Sequence, residues 1–265
     1  MARKKTGKKL LSVIVPAYKQ EKTIQKDLQR IGDVLKQIRY DYEIICVIDG
    51  KVDKTFENAK KVRSRKIKVV GYDKNKGKGH AVRYGMARTK GDIIAFIDAG
   101  MDLNPNGLSM LLEHFEWYDA DIIVGSKRHP VSKINYPWQR RILSIGYQIL
   151  VRLLFSLKIR DTQTGMKFFR RKVLADVLPR LLVKEYAFDI EMLAVANKLG
   201  YKRVFEAPIE MEWEDEGSVI SQSLRRILFK MLWDTAAVFY RLKILHYYDD
   251  GNKQKWKSDS DLNFK

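Results

Sequence analysis

The chain reads as an α/β fold, a mainly parallel sheet flanked by helices and closed by a C-terminal amphipathic helix. Three observations predict it. Short apolar runs without helical period, such as Leu11-Ser12-Val13-Ile14-Val15 and Ile93-Ile94-Ala95-Phe96-Ile97, alternate with segments of helical period. Helix-length connections between successive strands demand right-handed crossovers, and those make neighbouring strands parallel. Polar groups gather where strands end, at Pro16-Ala17-Tyr18, at Asp49 and at Asp98 with Asp102. In open parallel sheets, ligands bind beyond the carboxyl ends of the strands.

The first strand, 11–15, stops at Pro16. A helix over 21–38 carries Ile24, Leu28, Ile31, Leu35 and Ile38 along one stripe. The second strand, 43–48, ends at Asp49-Gly50, and Asp53 is placed to cap the next helix. A strand at 67–70 follows, then Gly77-Lys78-Gly79 opens a helix to 88, and Gly91 leads into the strand ending at Asp98. Beyond it come a helix with Pro105 near its start, a strand at 121–124, a polar loop at 125–137 and a long helix at 139–157. A loop at 160–165, a strand at 166–169, two helices, a strand at 203–207 and an amphipathic helix at 218–240 complete the reading. The chain divides into a basic mobile head (1–10), one α/β domain (11–215), a helical extension (216–248) and a polar tail (249–265) whose mixed charge predicts disorder.

Apolar residues make up 45% of the chain, enough for a sizeable core. The net charge of +19 calls for an anionic substrate, partner or membrane surface. Nucleic acid is excluded as the partner, because charge is the only feature in its favour and no recognition signature or zinc-ligand spacing accompanies it. Cys46 is the single cysteine and lies in an apolar strand, which excludes disulfides and cysteine zinc sites. The basic N-terminus runs straight into a strand, unlike a signal peptide. The apolar stretch 142–157 is broken by Gln148 and Arg152 and does not read as a membrane span. These features predict a cytoplasmic protein.

Asp98 and Asp102 read either as a solvated acidic turn or as hard oxygen ligands for Mg²⁺ or Mn²⁺ shared with substrate phosphates. Asp49 is suited to accept hydrogen bonds from a base, and Tyr18 to stack on one. Gly77-Lys78-Gly79 is neither a Walker loop nor a dinucleotide fingerprint. It is a helix N-terminus which, with Lys78 and Arg83, suits a diphosphate or ribose. Arg128, Arg140 and Ser144 form a guanidinium-and-hydroxyl set of the kind that holds phosphate, or else a solvated basic helix start. Arg140 and Ser144 share one helix face. Asp161-Thr162-Gln163-Thr164-Gly165 is a dense polar loop, and turn chemistry explains much of it. Asp189 and Glu191 lie two apart, so one helix cannot aim both into a site, and Glu191 is the expected member. The last helix sets Leu224, Ile227, Leu228, Met231, Leu232 and Trp233 beside Arg225, Arg226 and Lys230, a pattern for anionic lipid or for docking on the core.

Taken in order, Val13-Ile14-Val15-Pro16-Ala17-Tyr18, Asp49-Gly50 with Asp53 and Thr55, and Asn75-x-Gly77-Lys78-Gly79 resemble family 2 glycosyltransferases of GT-A fold. So do Asp98-Ala99-x-x-Asp102-Leu103-x-Pro105, Gly125-Ser126-Lys127-Arg128, Asp161-Thr162-Gln163-Thr164-Gly165-x-Lys167 and Ala187-Phe188-Asp189-x-Glu191. The resemblance spans 11–215 and is narrowest to the dolichyl- or polyprenyl-phosphate mannosyl- and glucosyltransferases. It implies a GT-A, Rossmann-like domain that moves a hexose, with inversion, from a GDP- or UDP-sugar to polyprenyl phosphate at the inner face of a membrane. It implies a donor held by Pro16, Tyr18, Asp49, Lys78 and Asp98, and Mg²⁺ or Mn²⁺ at Asp98 and Asp102. Arg128, Arg140 and Ser144 would grip the acceptor phosphate, beside an acceptor loop containing Asp161 and Gln163. Asp98, Asp102, Arg128 and Glu191 would form the catalytic set.

The chain departs from the family pattern in three places. Lys19 and Gln20 replace the last two residues of Pro-x-Tyr-Asn-Glu, Asp49 keeps only the second acid of Asp-Asp-Gly, and Gly100 stands where Asp-x-Asp has its second acid. Metal ligation would then rest on Asp98, Asp102, diphosphate and water. A hydroxyl acceptor would instead require Glu191 or Asp161 as general base. A nucleotide-sugar-binding protein without turnover is the third reading.

Overall fold

The computed structural model describes residues 9–134, 138–211, 222–256 and 259–264. The first half alternates strand and helix in the predicted order. It runs β1 (Leu10–Ala17), α1 (Ile24–Lys36), β2 (Asp41–Asp49), α2 (Thr55–Lys60), β3 (Ile67–Tyr72), α3 (Lys78–Met86), β4 (Ile93–Ile97) and α4 (Gly107–Trp117). The second half holds β5 (Ile122–Ser126), β6 (Lys133–Ile134), α5 (Trp138–Phe155), β7 (Met166–Arg170), α6 (Arg171–Val177), α7 (Phe188–Lys198), β8 (Val204–Pro208), β9 (Glu210–Met211) and α8 (Gln222–Lys243). Asp53, expected to cap α2, stands one residue before its N-cap, Lys54, and accepts the backbone N–H of Thr55 at 3.0 Å.

Seven strands form one sheet in the order β3-β2-β1-β4-β7-β5-β8. All pairings are parallel except those of β7, which runs antiparallel between β4 and β5. Strand residues alternate between two apolar faces. Val13, Val15, Ile44, Cys46, Ala95 and Ile97 pack on α1, α2 and α4, while Ile14, Ile45, Val47 and Phe96 pack on α3 and α5 to α8. Both faces are covered, so the strands are apolar on both sides. The loop expected over 125–137 contains β6, which pairs in parallel with β9 as a second, two-stranded ribbon.

The topology decides what reaches the rim. β1, β2 and β4 end there in parallel. Because β7 is reversed, its first residue, Met166, pairs with Ile97, the last of β4. The loop at 160–165 is thereby delivered beside Asp98.

α5 and α8 lie together on one face, joined by a hydrogen bond between Tyr147 Oη and Thr235 Oγ1 (2.7 Å) and by the edge contact of Phe155 with Phe239. Val151, Val238 and Leu242 face inward. The outward faces carry Ile149, Leu153, Phe229, Trp233 and Ile244, with Leu153 76% and Phe229 69% exposed. No helix among the described residues is long and apolar enough to cross a membrane.

The predicted disorder of the 249–265 tail needs correcting. Arg180 donates Nε to the carbonyl of Tyr248 (2.9 Å), pairs with Asp250, and lies 4.0 Å over the Trp256 ring. Arg88 donates to the Asp261 carbonyl (2.7 Å), and Leu262 is buried. The polar composition conceals a few anchors, and these suffice to dock the described part of the segment on α3 and on the turn after α6. The basic head, apart from its last two residues, lies outside the described residues.

His80, on α3 between Tyr72 and Tyr84, is buried, and its Nδ1 has no partner. Burial, with Lys76, Lys184 and Arg83 nearby, lowers its pKa from 6.5 to about 4. The unfolded chain therefore takes up the proton first. The contribution is fully present above pH 6.5 and is lost as pH falls towards 4, at up to about 3 kcal/mol. Urea denaturation across that range should show the stability advantage of wild type over His80→Phe shrinking as pH falls. A pH-independent difference would contradict the assignment.

Candidate active site

Pro16, Tyr18, Asp49, Lys78, Asp98 and Asp102 line a single cleft at the rim, with Gln163 at its side. The predicted donor residues are thus brought together. Sequence reasoning missed several others that share this cleft, namely Gln20, Asn75, Glu185, Tyr186, Phe188 and Asp189.

Asp49 does not offer its carboxylate to the cleft as expected. Oδ1 accepts from Tyr72 Oη (2.9 Å) and the Lys76 N–H (2.7 Å), and Oδ2 from Asn75 Nδ2 (2.9 Å) and the Gly77 N–H (3.0 Å). Both oxygens are spent on folding the 72–77 turn onto the end of β2. Gly77, at φ 95°, continues that turn, and a Cβ there would meet the Lys184 carbonyl at 2.6 Å. Gly79 is equally tight, because its Cβ would lie 2.5 Å from that of Phe188. The glycines let the 184–188 segment close against the start of α3. Arg83 is buried and donates to the Leu178 carbonyl at 3.1 Å, so it contributes nothing to a diphosphate site.

Lys78 Nζ donates to Asp98 Oδ2 at 2.6 Å. Burial works to lower the lysine, but the carboxylates of Asp98 and Asp189 outweigh it and raise its pKa. Directly behind lies a second pair that is wholly buried. Lys167 Nζ donates to Asp189 Oδ1 at 2.6 Å and also bonds the Thr164 carbonyl. Burial pushes this lysine down and this carboxyl up, and their mutual contact opposes both shifts. Four charges thus alternate through the floor of the cleft. A lone lysine inside the apolar run Met166-Lys167-Phe168-Phe169 was the available signal for the hidden pair.

Asp98 Oδ1 is buried without a hydrogen-bond partner. Hydrogen bonding can leave such an oxygen orphaned only at a cost, and a cation would satisfy it. Asp102 lines the same cleft, and among the described residues no group of three or more His, Cys, Asp or Glu side chains is placed to hold a metal. One or two carboxylates completed by diphosphate and water is a donor set that suits Mg²⁺ or Mn²⁺. The departure at Gly100 has a backbone cause. Gly100 and Met101 have φ of 98° and 60°, and the Gly100 N–H donates to the buried Asp27 at 3.0 Å. An acid at position 100 would be strained there.

Glu191, the expected catalytic carboxylate of α7, requires correction. It is fully buried on the far side of the helix and accepts the N–H groups of Leu182 and Val183 and the hydroxyl of Tyr248. Asp189 is the member that faces the cleft. The two-residue spacing correctly excluded a shared face but could not say which face was which.

A second pocket is lined by Lys127, Arg128, His129, Ser132, Ser144, Ile145 and Arg160. Arg128 Nη2 donates to Ser144 Oγ at 2.9 Å, which joins two of the three residues expected around a phosphate. The side chain of Arg140, the third, lies outside the described residues. The 160–165 loop separates the two sites, with Arg160 in this pocket and Gln163 in the first cleft. Asp161 staples the loop. It accepts the Lys127 N–H at 3.0 Å and the Gln163 N–H at 3.3 Å, while its own N–H donates to Glu206. Gly165 then packs on Asp98, where a Cβ would meet Oδ2 at 1.9 Å.

Comparison with known proteins agrees with this geometry. The model of glycosyl transferase family 2 matches residues 12–178. The dolichyl-phosphate beta-glucosyltransferase of Drosophila melanogaster is 34% identical over 84% of this chain and 74% of its own length. The human protein of the same name is 33% identical over 79% and 69%. A dolichol-phosphate mannosyltransferase of Pyrococcus furiosus is 29% identical over 84% and 64%. Glucosyl-3-phosphoglycerate synthase from Mycobacterium tuberculosis, solved with Mn²⁺, UDP and phosphoglyceric acid, superposes with a TM-score of 0.65 at 20% identity over 88% of this chain and 78% of that one, a likeness of fold. With the motif order and the family match in agreement, the chain belongs to glycosyltransferase family 2.

Proposed function

We propose that this glycosyltransferase moves a hexose, with inversion, from a nucleoside-diphosphate sugar to a polyprenyl phosphate at a membrane surface, with Mg²⁺ or Mn²⁺ at Asp98 and Asp102. The observation that carries the acceptor assignment is the Arg128–Ser144 contact in a basic pocket one loop away from the donor cleft. A phosphate monoester has a second pKa near 6 and is already largely dianionic at neutral pH, so it needs a cationic grip and no base. A hydroxyl acceptor needs a positioned base. The two carboxylates suited by sequence to that role are committed elsewhere, Asp161 to backbone N–H groups and Glu191 to the interior. The names of the similar dolichyl-phosphate transferases agree with a lipid phosphate.

On this reading the nucleoside stacks at Tyr18 and the diphosphate lies against Lys78 and the start of α3. Leaving-group charge develops on the diphosphate, where Lys78 is fixed by Asp98 in advance of reaction. Asp98 and Asp102 would hold a divalent ion that would add positive charge near the developing leaving group. Asp189 and Lys167 hold the floor rigid beneath, and Arg128 and Ser144 aim the acceptor oxygen. Ser144 and Ile145 line the pocket, and Ile149 and Leu153 follow Ile145 at four-residue spacing along one exposed line of α5, while Phe229 and Trp233 are exposed on α8. That apolar track supports a lipid chain and a peripheral membrane site. The net charge of +19 agrees with an anionic bilayer. A cytoplasmic location, facing the inner leaflet, belongs to the same proposal.

Separately labelled UDP- and GDP-hexoses, offered with polyprenyl phosphate and Mn²⁺, should yield organic-phase label from one donor, and EDTA should abolish it. Arg128→Ala should lower kcat/KM for the lipid phosphate by about 100-fold. Label passing to a saccharide instead, undiminished in Arg128→Ala, would establish the hydroxyl-acceptor reading. Gly165→Ala should drive Asp98 out of place and cost about 100-fold in transfer, since misplacement of about 1 Å is enough for that. Gly32→Ala on α1, where an added Cβ meets nothing within 4 Å, should stay at wild-type activity in the same assay.

A further inference from the structure

One wall of the donor cleft is the irregular 182–187 segment that leads into α7. It supplies Glu185 and Tyr186 to the cleft, ahead of Phe188 at the start of the helix, and presses the Lys184 carbonyl over Gly77. That carbonyl also accepts the His80 N–H at 3.1 Å, so the wall and the start of α3 are one packed unit. An irregular segment of this kind needs partners for its backbone groups.

Glu191 provides them from behind. Its carboxylate receives the Leu182 N–H on both oxygens (3.0 Å each) and the Val183 N–H at 2.8 Å. Oε1 takes the hydroxyl of Tyr248 at 2.7 Å, and that hydroxyl in turn accepts Arg241 Nε at 3.2 Å. Tyr248, Arg241 and Glu191 belong to the segment after α8, to α8 itself and to α7. Among the described residues the groups facing the carboxylate are backbone N–H groups, one phenol, the Arg241 guanidinium at 3.9 Å and, farther off, the buried Arg83. On its outer side the wall is tied again to α8, through Glu185 to Lys230 at 2.5 Å. None of these groups touches the reacting atoms, yet together they set where Tyr186 and Phe188 stand.

We propose that Glu191 is a positioning residue for the donor site, and that Tyr248 and Arg241 make the end of α8 part of the donor-cleft scaffold. This rests on the reading of the cleft as a nucleotide-sugar site. It assigns to the C-terminal end of α8 and to Tyr248 a role in donor affinity.

The test uses the full chain with Tyr248→Phe, which removes one oxygen and keeps the ring, and with Glu191→Gln, which keeps the side-chain shape. Hydrogen exchange at the Leu182 and Val183 amides, titration of UDP and GDP with Mn²⁺, and transfer kinetics are read in parallel. Tyr248→Phe should speed exchange at these two amides about tenfold relative to the core of α7. It should raise donor KM about fivefold, with kcat and acceptor KM unchanged. Glu191→Gln should move the same readouts further. A lower melting temperature with unchanged exchange at 182–183 and unchanged nucleotide affinity would reduce Glu191 to ordinary packing and overturn the proposal. Should a variant fail to fold, wild-type exchange decides. Protection at Leu182 and Val183 equal to that of α7 supports the scaffold, and fast exchange refutes it. Nucleotide binding that weakens in the variants, in a protein that transfers nothing to lipid phosphate, would leave this inference standing and remove the proposed acceptor.

Discussion

The site depends on burying charge at the end of a sheet. Lys167 and Asp189 are sealed beneath the cleft, and Lys78 and Asp98 sit above them at the rim. Desolvating each ion is costly, and the low-dielectric setting repays this only when every charge meets its partner at hydrogen-bond distance. The array therefore works as a unit. Removing Lys167 or Asp189 leaves its partner buried and unpaired, a loss larger than the worth of one bond, whereas Lys78 and Asp98 at the rim keep partial access to water. What the protein gains is placement, because Asp98 is fixed on one oxygen while the other remains without a partner.

The rest of the architecture serves that placement. The reversal of β7 brings Gly165 against Asp98, and Gly165 is required because any side chain would collide there. The same reversal lets one short loop divide the rim cleft from the basic pocket, which on the proposed reading holds two anionic substrates apart yet adjacent. Asp49 and Glu191 illustrate a different use of carboxylates. Each spends its oxygens on backbone N–H groups of an irregular segment, and each thereby shapes one wall of the cleft.

Much of this was legible in the sequence. The apolar runs of β1, β2 and β4 and the striped α1 carry unambiguous periods, and the polar groups at their ends mark the rim. The antiparallel sense of β7 was not legible, since a strand buried on both faces has the same apolar pattern in either direction. Nor could the phase of α7 be read, because apolar and acidic residues alternate at its start without a clear outer face, and so Glu191 was taken for Asp189. The tail misled through composition. Charge and polarity outnumber Trp256 and Leu262, but those few residues decide where the segment docks. Arg128 and Ser144, singled out in the sequence for their distinctive chemistry, do meet in the structure, whereas Lys167 required attention to a single charge in an apolar strand.

The central claim is that Asp98 holds its free oxygen for a cation shared with the donor diphosphate. Calorimetric titration of UDP and GDP, with and without Mn²⁺, into wild type and Asp98→Asn tests it most directly. The account predicts nucleotide binding that strengthens at least about tenfold with Mn²⁺ in wild type, a gain of about 1.4 kcal/mol, and loses that dependence in Asp98→Asn. Equal affinity with and without the metal in wild type, or metal dependence that survives in Asp98→Asn, would contradict it.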